Sequence, residues 1–177
     1  MIFFISKRTK KAGIFLKEVY KIEDIKKNEQ EDYDGVLLKT ADVEILRRMI
    51  DKAANYFEIY VLGTNDKINR VALEHKKVKA LVSPEFGRVF DYTGYRNSGL
   101  NQVLCKIARD NNKEIIENFS DFLEKDKKNK AIWLGRVLQN ARLCKKYHTK
   151  FIVAQFIKSE KEIFEIRKIE DFVRALS

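Results

Sequence analysis

Residues 57–82 read FEIYVLGTNDKINRVALEHKKVKALV, and the order of patterns within them decides the fold. Phe57 to Leu62 is a β-rich run closed by the turn formers Gly63-Thr64-Asn65-Asp66. A helix of about Lys67 to Lys77 follows, and Ala80-Leu81-Val82 is a second strand stopped by Ser83-Pro84. Two strands joined by a helix pair in parallel through a right-handed crossover. The alternation continues on both sides. Val36-Leu37-Leu38 leads into a helix from about Ala41 to Ala53, with Val43, Leu46, Ile50 and Ala53 at helical spacing. Downstream, Leu100, Val103, Leu104, Ile107 and Ala108 form one stripe of a helix opening at about Gly99, with Ser98 as its cap. Ile115-Ile116 marks a strand, Ala131 to Tyr147 a helix, and Phe151 to Phe156 another strand. Ile2 to Ile5 supplies a sixth at the front. Ser159 and Glu162 suggest a capping box, and Ile169, Phe172, Val173 and Leu176 a closing helical stripe. The pattern fits a doubly wound sheet or a barrel and does not choose between them. Either places ligand contacts at the C-terminal strand ends.

Composition narrows the function. The 177 residues suit one domain, 1–177, with a sizeable core. A hydrophobic share of 45% beside 35% charged residues excludes a disordered chain. The expected location is the cytoplasm: Cys105 and Cys144 read as reduced core residues, and the apolar start Met1 to Ile5 is too short for a secretory signal. No apolar run approaches membrane-span length, so no membrane partner is expected. Lys and Arg number 36 against 26 Asp and Glu, a net charge of +10 that favours a polyanion as partner. There is no phosphate-binding glycine loop, no CxxC pair, and neither His75 nor His148 has a histidine neighbour. The expectation is therefore no metal site, no catalytic residues and no cofactor bound by this chain.

The positive charge is concentrated. Between Lys125 and Lys150, nine basic residues face the single Asp126. Lys127, Lys128, Lys130, Arg136, Arg142 and Lys146 are candidate phosphate contacts along one helix, against the plainer reading of a solvated lysine-rich face. A second cluster is the loop Arg88 to Gly99, where Arg88 and Arg96 bracket Phe90, Tyr92 and Tyr95. Arg96 and the helix start at Ser98 suit a phosphate, and Tyr92 or Tyr95 suits an unpaired base. Arg70, Arg88 and Arg96 are expected to converge on one barrel rim and bind a backbone phosphate there. The competing reading has Glu85 or Asp91 neutralise them internally.

Three motifs carry a family resemblance: Ile68-Asn69-Arg70-Val71-Ala72-Leu73-Glu74, then Ser83-Pro84-Glu85-Phe86-Gly87-Arg88, then Arg96-Asn97-Ser98-Gly99-Leu100-Asn101-Gln102-Val103-Leu104. In order and context they resemble protein component 3 of archaeal ribonuclease P, the thirty-kilodalton subunit family shared with eukaryotic ribonucleases P and MRP. Weaker similarity runs from Gly35 to Lys39, which adds Lys39 to the candidate contacts, and onward to Asn140-Ala141-Arg142-Leu143. Departures are an insertion of about seven residues, Val89 to Tyr95, and Asn97 and Gln102 where the family has Asp and His.

The resemblance implies an α/β fold, a reduced (β/α) barrel of about six to seven mostly parallel strands related to the polymerase-and-histidinol-phosphatase TIM-like barrel without its metal ligands. It implies a non-catalytic subunit of the ribonuclease P endoribonuclease, with catalysis and Mg²⁺ belonging to the RNA subunit. The partners it implies are ribonuclease P RNA, ribonuclease P protein component 2, the other protein components and precursor tRNA, whose 5′ leader the holoenzyme removes. The alternatives are a metal-dependent phosphoesterase of the parent barrel superfamily and a generic basic domain binding RNA, DNA or membranes.

Overall fold

The computed structural model describes residues 2–5, 14–29, 32–157 and 171. Among the described residues seven strands and five α-helices follow in the order β1 (Ile2–Ile5), β2 (Ile14–Val19), β3 (Gly35–Leu38), α1 (Val43–Ala53), β4 (Glu58–Leu62), α2 (Asp66–Glu74), β5 (Val78–Val82), α3 (Gln102–Asp110), β6 (Glu114–Asn118), α4 (Phe119–Glu124), α5 (Lys127–Tyr147) and β7 (Lys150–Ile157). Each strand from β2 to β7 pairs in parallel with the next. β1 runs antiparallel to both β2 and β7 and closes the barrel between them. The choice that pattern left open is thus settled as a closed, reduced barrel of seven mostly parallel strands.

Side-chain alternation explains why the strands read as nearly continuous apolar runs. Leu16, Leu37, Tyr60, Leu62, Ala80, Val82, Ile116, Ala154 and Phe156 fill the barrel interior. Their neighbours Val36, Leu38, Ile59, Val61, Leu81 and Ile115 point outward against Leu46, Met49, Ile50, Ile68, Leu73, Leu104, Cys105 and Cys144 of the helices. A third cluster, Phe119, Trp133, Val137, Ala141 and Val153, seats α4 and α5 on β7. Each such aliphatic side chain contributes ~1.5–3 kcal/mol through burial.

Local chemistry sets the helix ends. Asp42, Asn65, Asn101 and Asp126 accept the third backbone N–H of α1, α2, α3 and α5. The start of α3 corrects one expectation: Asn101, not Ser98, is the cap, and Leu100 packs into the core ahead of the helix. Val103, expected in the buried stripe, is exposed. α2 stops at Glu74, because the chain is already extended at His75. α5 begins four residues before the expected Ala131. β2 and α4 were not anticipated. The capping box at Ser159 and Glu162 and the closing stripe from Ile169 lie outside the described residues, apart from a helical Asp171.

Candidate nucleic-acid interface

The three motifs meet at one side chain. Asn69 of α2 is fully buried, and its Nδ2 donates to the carbonyls of Pro84 and Gly99, each at 3.0 Å. Gly99 sits at φ 76°, where a Cβ would lie 1.8 Å from the Pro84 carbonyl oxygen. Only glycine permits that approach of the loop's two ends. The loop therefore leaves β5 at Ser83 and returns at Gly99, clamped by α2 at its base.

α5 holds the loop from the other side. Gln139 exchanges hydrogen bonds with the Arg96 backbone, accepting at 3.1 Å and donating at 2.9 Å, and also donates to Ser98 Oγ at 2.8 Å. Asn140 donates to the Ser98 carbonyl and to Glu117 Oε1. Asp91 is the electrostatic junction, accepting from Arg96 at 2.7 Å, Arg136 at 2.8 Å and the Asn97 backbone at 3.0 Å. Burial works against its ionisation, but the two guanidinium groups and the Asn97 N–H outweigh it and hold the carboxyl down to about 2. The Arg96 guanidinium lies across Gly135, where a Cβ would stand 2.9 Å from Nε. This contact accounts for a glycine inside a long helix, a placement that costs about 1 kcal/mol in intrinsic propensity.

Each of the three arginines expected at one rim is paired with a different carboxylate. Arg70 pairs with Glu74 one turn along α2, Arg88 with Asp66, and Arg96 with Asp91. Arg136 and Ser98 are buried and spent on anchoring the loop, so neither faces solvent. Lys39 pairs with Glu18 and lies over the Tyr20 ring. Two sets of cations remain available on α5: exposed Lys127 and Lys128 at its start, beside Lys130 over the Phe122 ring, and exposed Arg142 and Lys146 near its end. Some 19 residues apart, the two ends are separated by about 28 Å along the helix axis.

Two concavities flank α5. The larger, about 710 Å³, lies between the helix and the inserted loop and is lined by Tyr92, Tyr95, Arg96, Gln139, Arg142 and Lys146 among others. The smaller, about 230 Å³, is lined by Arg88, Lys125, Asn129, Trp133 and Arg136, together with Glu85 and Asp121. Arg88 lends it a largely buried guanidinium whose Nε and Nη2 have no acceptor.

Glu85 and Glu117, at the ends of β5 and β6, escaped the sequence reading as a pair. Both are enclosed; Glu85 accepts from Trp133 Nε1 at 2.9 Å and Glu117 from Asn140 at 2.9 Å. Burial raises both carboxyls above the ordinary glutamate range, and for Glu117 the Glu85 charge raises it further. The remaining oxygen of each lacks a donor when both are ionised. One proton shared between them satisfies both. The available signal was a carboxylate, Glu117, directly following Ile115-Ile116 in a strand. Among the described residues no group of three or more His, Cys, Asp or Glu is placed to hold a metal, and no helix is long and apolar enough to cross a membrane.

No family model matches the chain. It is 32% identical over 138 residues to ribonuclease P protein component 3 of Methanothermobacter thermautotrophicus, covering 73% of this chain and 51% of that protein. It is 30% identical over 145 residues to the component 3 of Methanocaldococcus jannaschii, covering 81% and 60%. The chain thus spans only about half to three fifths of the curated relatives it matches. Among solved structures, a chain of an archaeal ribonuclease P with mature tRNA, determined by cryo-electron microscopy, superposes with a TM-score of 0.74 at 25% identity, covering 91% of this chain and 72% of that one.

Proposed function

Because this chain belongs to the ribonuclease P protein component 3 family, we propose that it is a non-catalytic protein subunit of ribonuclease P that binds the catalytic RNA and supports removal of the 5′ leader from precursor tRNA. The observation carrying this reading is the exposed cationic helix α5 beside an aromatic loop tied down by the three family motifs. Lysines and arginines that replace counterions at crowded phosphates bind RNA without reading sequence, and they lower the Mg²⁺ the RNA needs to fold and react. The buried Arg136 and the half-exposed Arg96 act one step back, because both fix the loop through Asp91. In this reading Mg²⁺ belongs to the RNA, component 2 and the other protein components complete the particle, and the setting is the cytoplasm.

Reconstitution tests it. Adding the chain to the RNA and the remaining protein components should lower the Mg²⁺ concentration for half-maximal leader removal, and the chain alone should cleave nothing. Metal-dependent cleavage by RNA-free protein, or an unchanged Mg²⁺ requirement, overturns the proposal.

A further inference from the structure

The groove between the inserted loop and α5 has the chemistry of a nucleotide site. Tyr92 and Tyr95 are joined by a backbone hydrogen bond from Tyr92 N to the Tyr95 carbonyl at 3.1 Å, with Gly94 at φ 90° completing the tight turn. The rings are held 4.8 Å apart at 30°, yet they remain 48% and 61% exposed. Two large aromatic rings ordered by their own turn and left in water have surface to give to a planar partner. The opposite wall is α5, whose Arg142 and Lys146 are exposed and form no ion pair among the described residues. Leu138 and Leu143 floor the space between. The one acid in the lining, Asp91, is already held by Arg96 and Arg136, so the groove is net positive. At about 710 Å³ it has the size of a small-ligand pocket, with room for a nucleotide and its flanking phosphates.

We propose that this groove binds an unpaired segment of RNA, one base resting on the Tyr92–Tyr95 pair and the adjoining phosphates meeting Arg142 and Lys146. Stacking tolerates any base, because every base has a π-face, so the site selects single strands over duplexes rather than a sequence. A duplex buries its base faces and presents only phosphates, leaving the tyrosines unused. A protein partner would leave Arg142 and Lys146 without the anions they suit, so the charge of the groove favours RNA. This inference rests on the RNA-binding reading above and narrows it to one place and one form of RNA.

The test titrates the full chain with labelled oligouridylate and with a blunt RNA duplex carrying the same number of phosphates, and in parallel with ribonuclease P RNA. The double variant Tyr92→Ala, Tyr95→Ala should lose about tenfold affinity for oligouridylate and keep its affinity for the duplex and its melting temperature. Tyr92→Phe, Tyr95→Phe should restore the loss. The double variant Arg142→Gln, Lys146→Gln should weaken both probes and flatten their salt dependence, by about 0.7 in slope per lost phosphate contact for the single strand. If the alanine variant binds oligouridylate like the parent, the groove proposal is overturned, while tight binding of ribonuclease P RNA by the parent would leave the subunit reading standing. If the parent binds neither probe nor the RNA, that reading fails first. If the alanine variant keeps its RNA affinity but loses a protein component in reconstitution, the groove is a protein site.

Discussion

Asn69 was legible in the sequence only as the middle of an Ile-Asn-Arg run, and the structure gives the reason an asparagine stands there. Its amide nitrogen faces two carbonyls that begin and end the loop, a role only a donor fills. Asn69→Asp keeps the shape and replaces the donor with an acceptor against those carbonyls in a fully buried site. The expected cost is ~3 kcal/mol, read as a fall in denaturant midpoint at unchanged slope; a loss below ~0.5 kcal/mol would show that the loop ends are held by packing alone. Arginines were harder to read, since charge alone does not tell an anchor from a ligand contact. The competing reading, in which Glu85 or Asp91 neutralises the arginines internally, holds for Arg96 and Asp91. Yet the second guanidinium Asp91 takes is Arg136, which lies 45 residues away in sequence and had been assigned to RNA. No spacing rule links those positions; only the packing of α5 over the loop brings them together.

At the scale of elements, helices with long apolar stripes were found from their period, and most errors fell at their ends. α5 shows why. Its first turn is Lys127-Lys128-Asn129-Lys130, polar on every side, so the apolar stripe begins a turn after the helix does. β2 went unread because Lys17 and Glu18 interrupt it: Lys17 donates to the Asp24 carbonyl and pairs with Glu29, while only Leu16 and Val19 are among its described core residues. The lysines of α5 also sit badly for the helix itself. Cations in a first turn oppose the positive end of the macrodipole, by about 0.3–1 kcal/mol each at low salt. Lys127→Gln, Lys128→Gln should therefore raise the melting temperature slightly while lowering affinity for ribonuclease P RNA and reducing its salt slope. A gain in stability with RNA binding untouched would assign this end of α5 to solvent. A concurrent loss of binding identifies a helix start kept suboptimal for the sake of a phosphate contact.

For the whole molecule, parallel pairing was legible in the βαβ order, whereas closure was not. β1 completes the ring antiparallel to both neighbours, a geometry that no helical connection announces. The pairing of β5 with β6 sets their C-terminal ends side by side, and α5 covers Glu85 and Glu117 there through Trp133 and Asn140, which makes the barrel's stability depend on pH. In the unfolded chain both carboxyls ionise near 4.5, and in the folded barrel both do so at higher pH. Between those values the folded state binds more protons, so by linkage stability is greatest below the window and declines as pH rises through it. Asp91 runs the other way: its pairing stabilises above the usual carboxylate range and is lost only as pH falls towards about 2. Lys125 favours the charged form of Glu85 and Asp121 opposes that of Glu117, while the proton belongs to the pair as a whole. Glu117→Gln places an amide donor where the shared proton sits and retains the oxygen that accepts from Asn140. Between about pH 5 and pH 8 the variant's melting temperature should fall less than the parent's, because Glu85 alone still titrates, and its stability should exceed the parent's at the upper end by about 1.4 kcal/mol per unit of abolished shift. Thermal melts of both proteins across that range decide it: a parent whose stability is flat there, with the variant lower throughout, would mean that the two carboxyls do not share a proton.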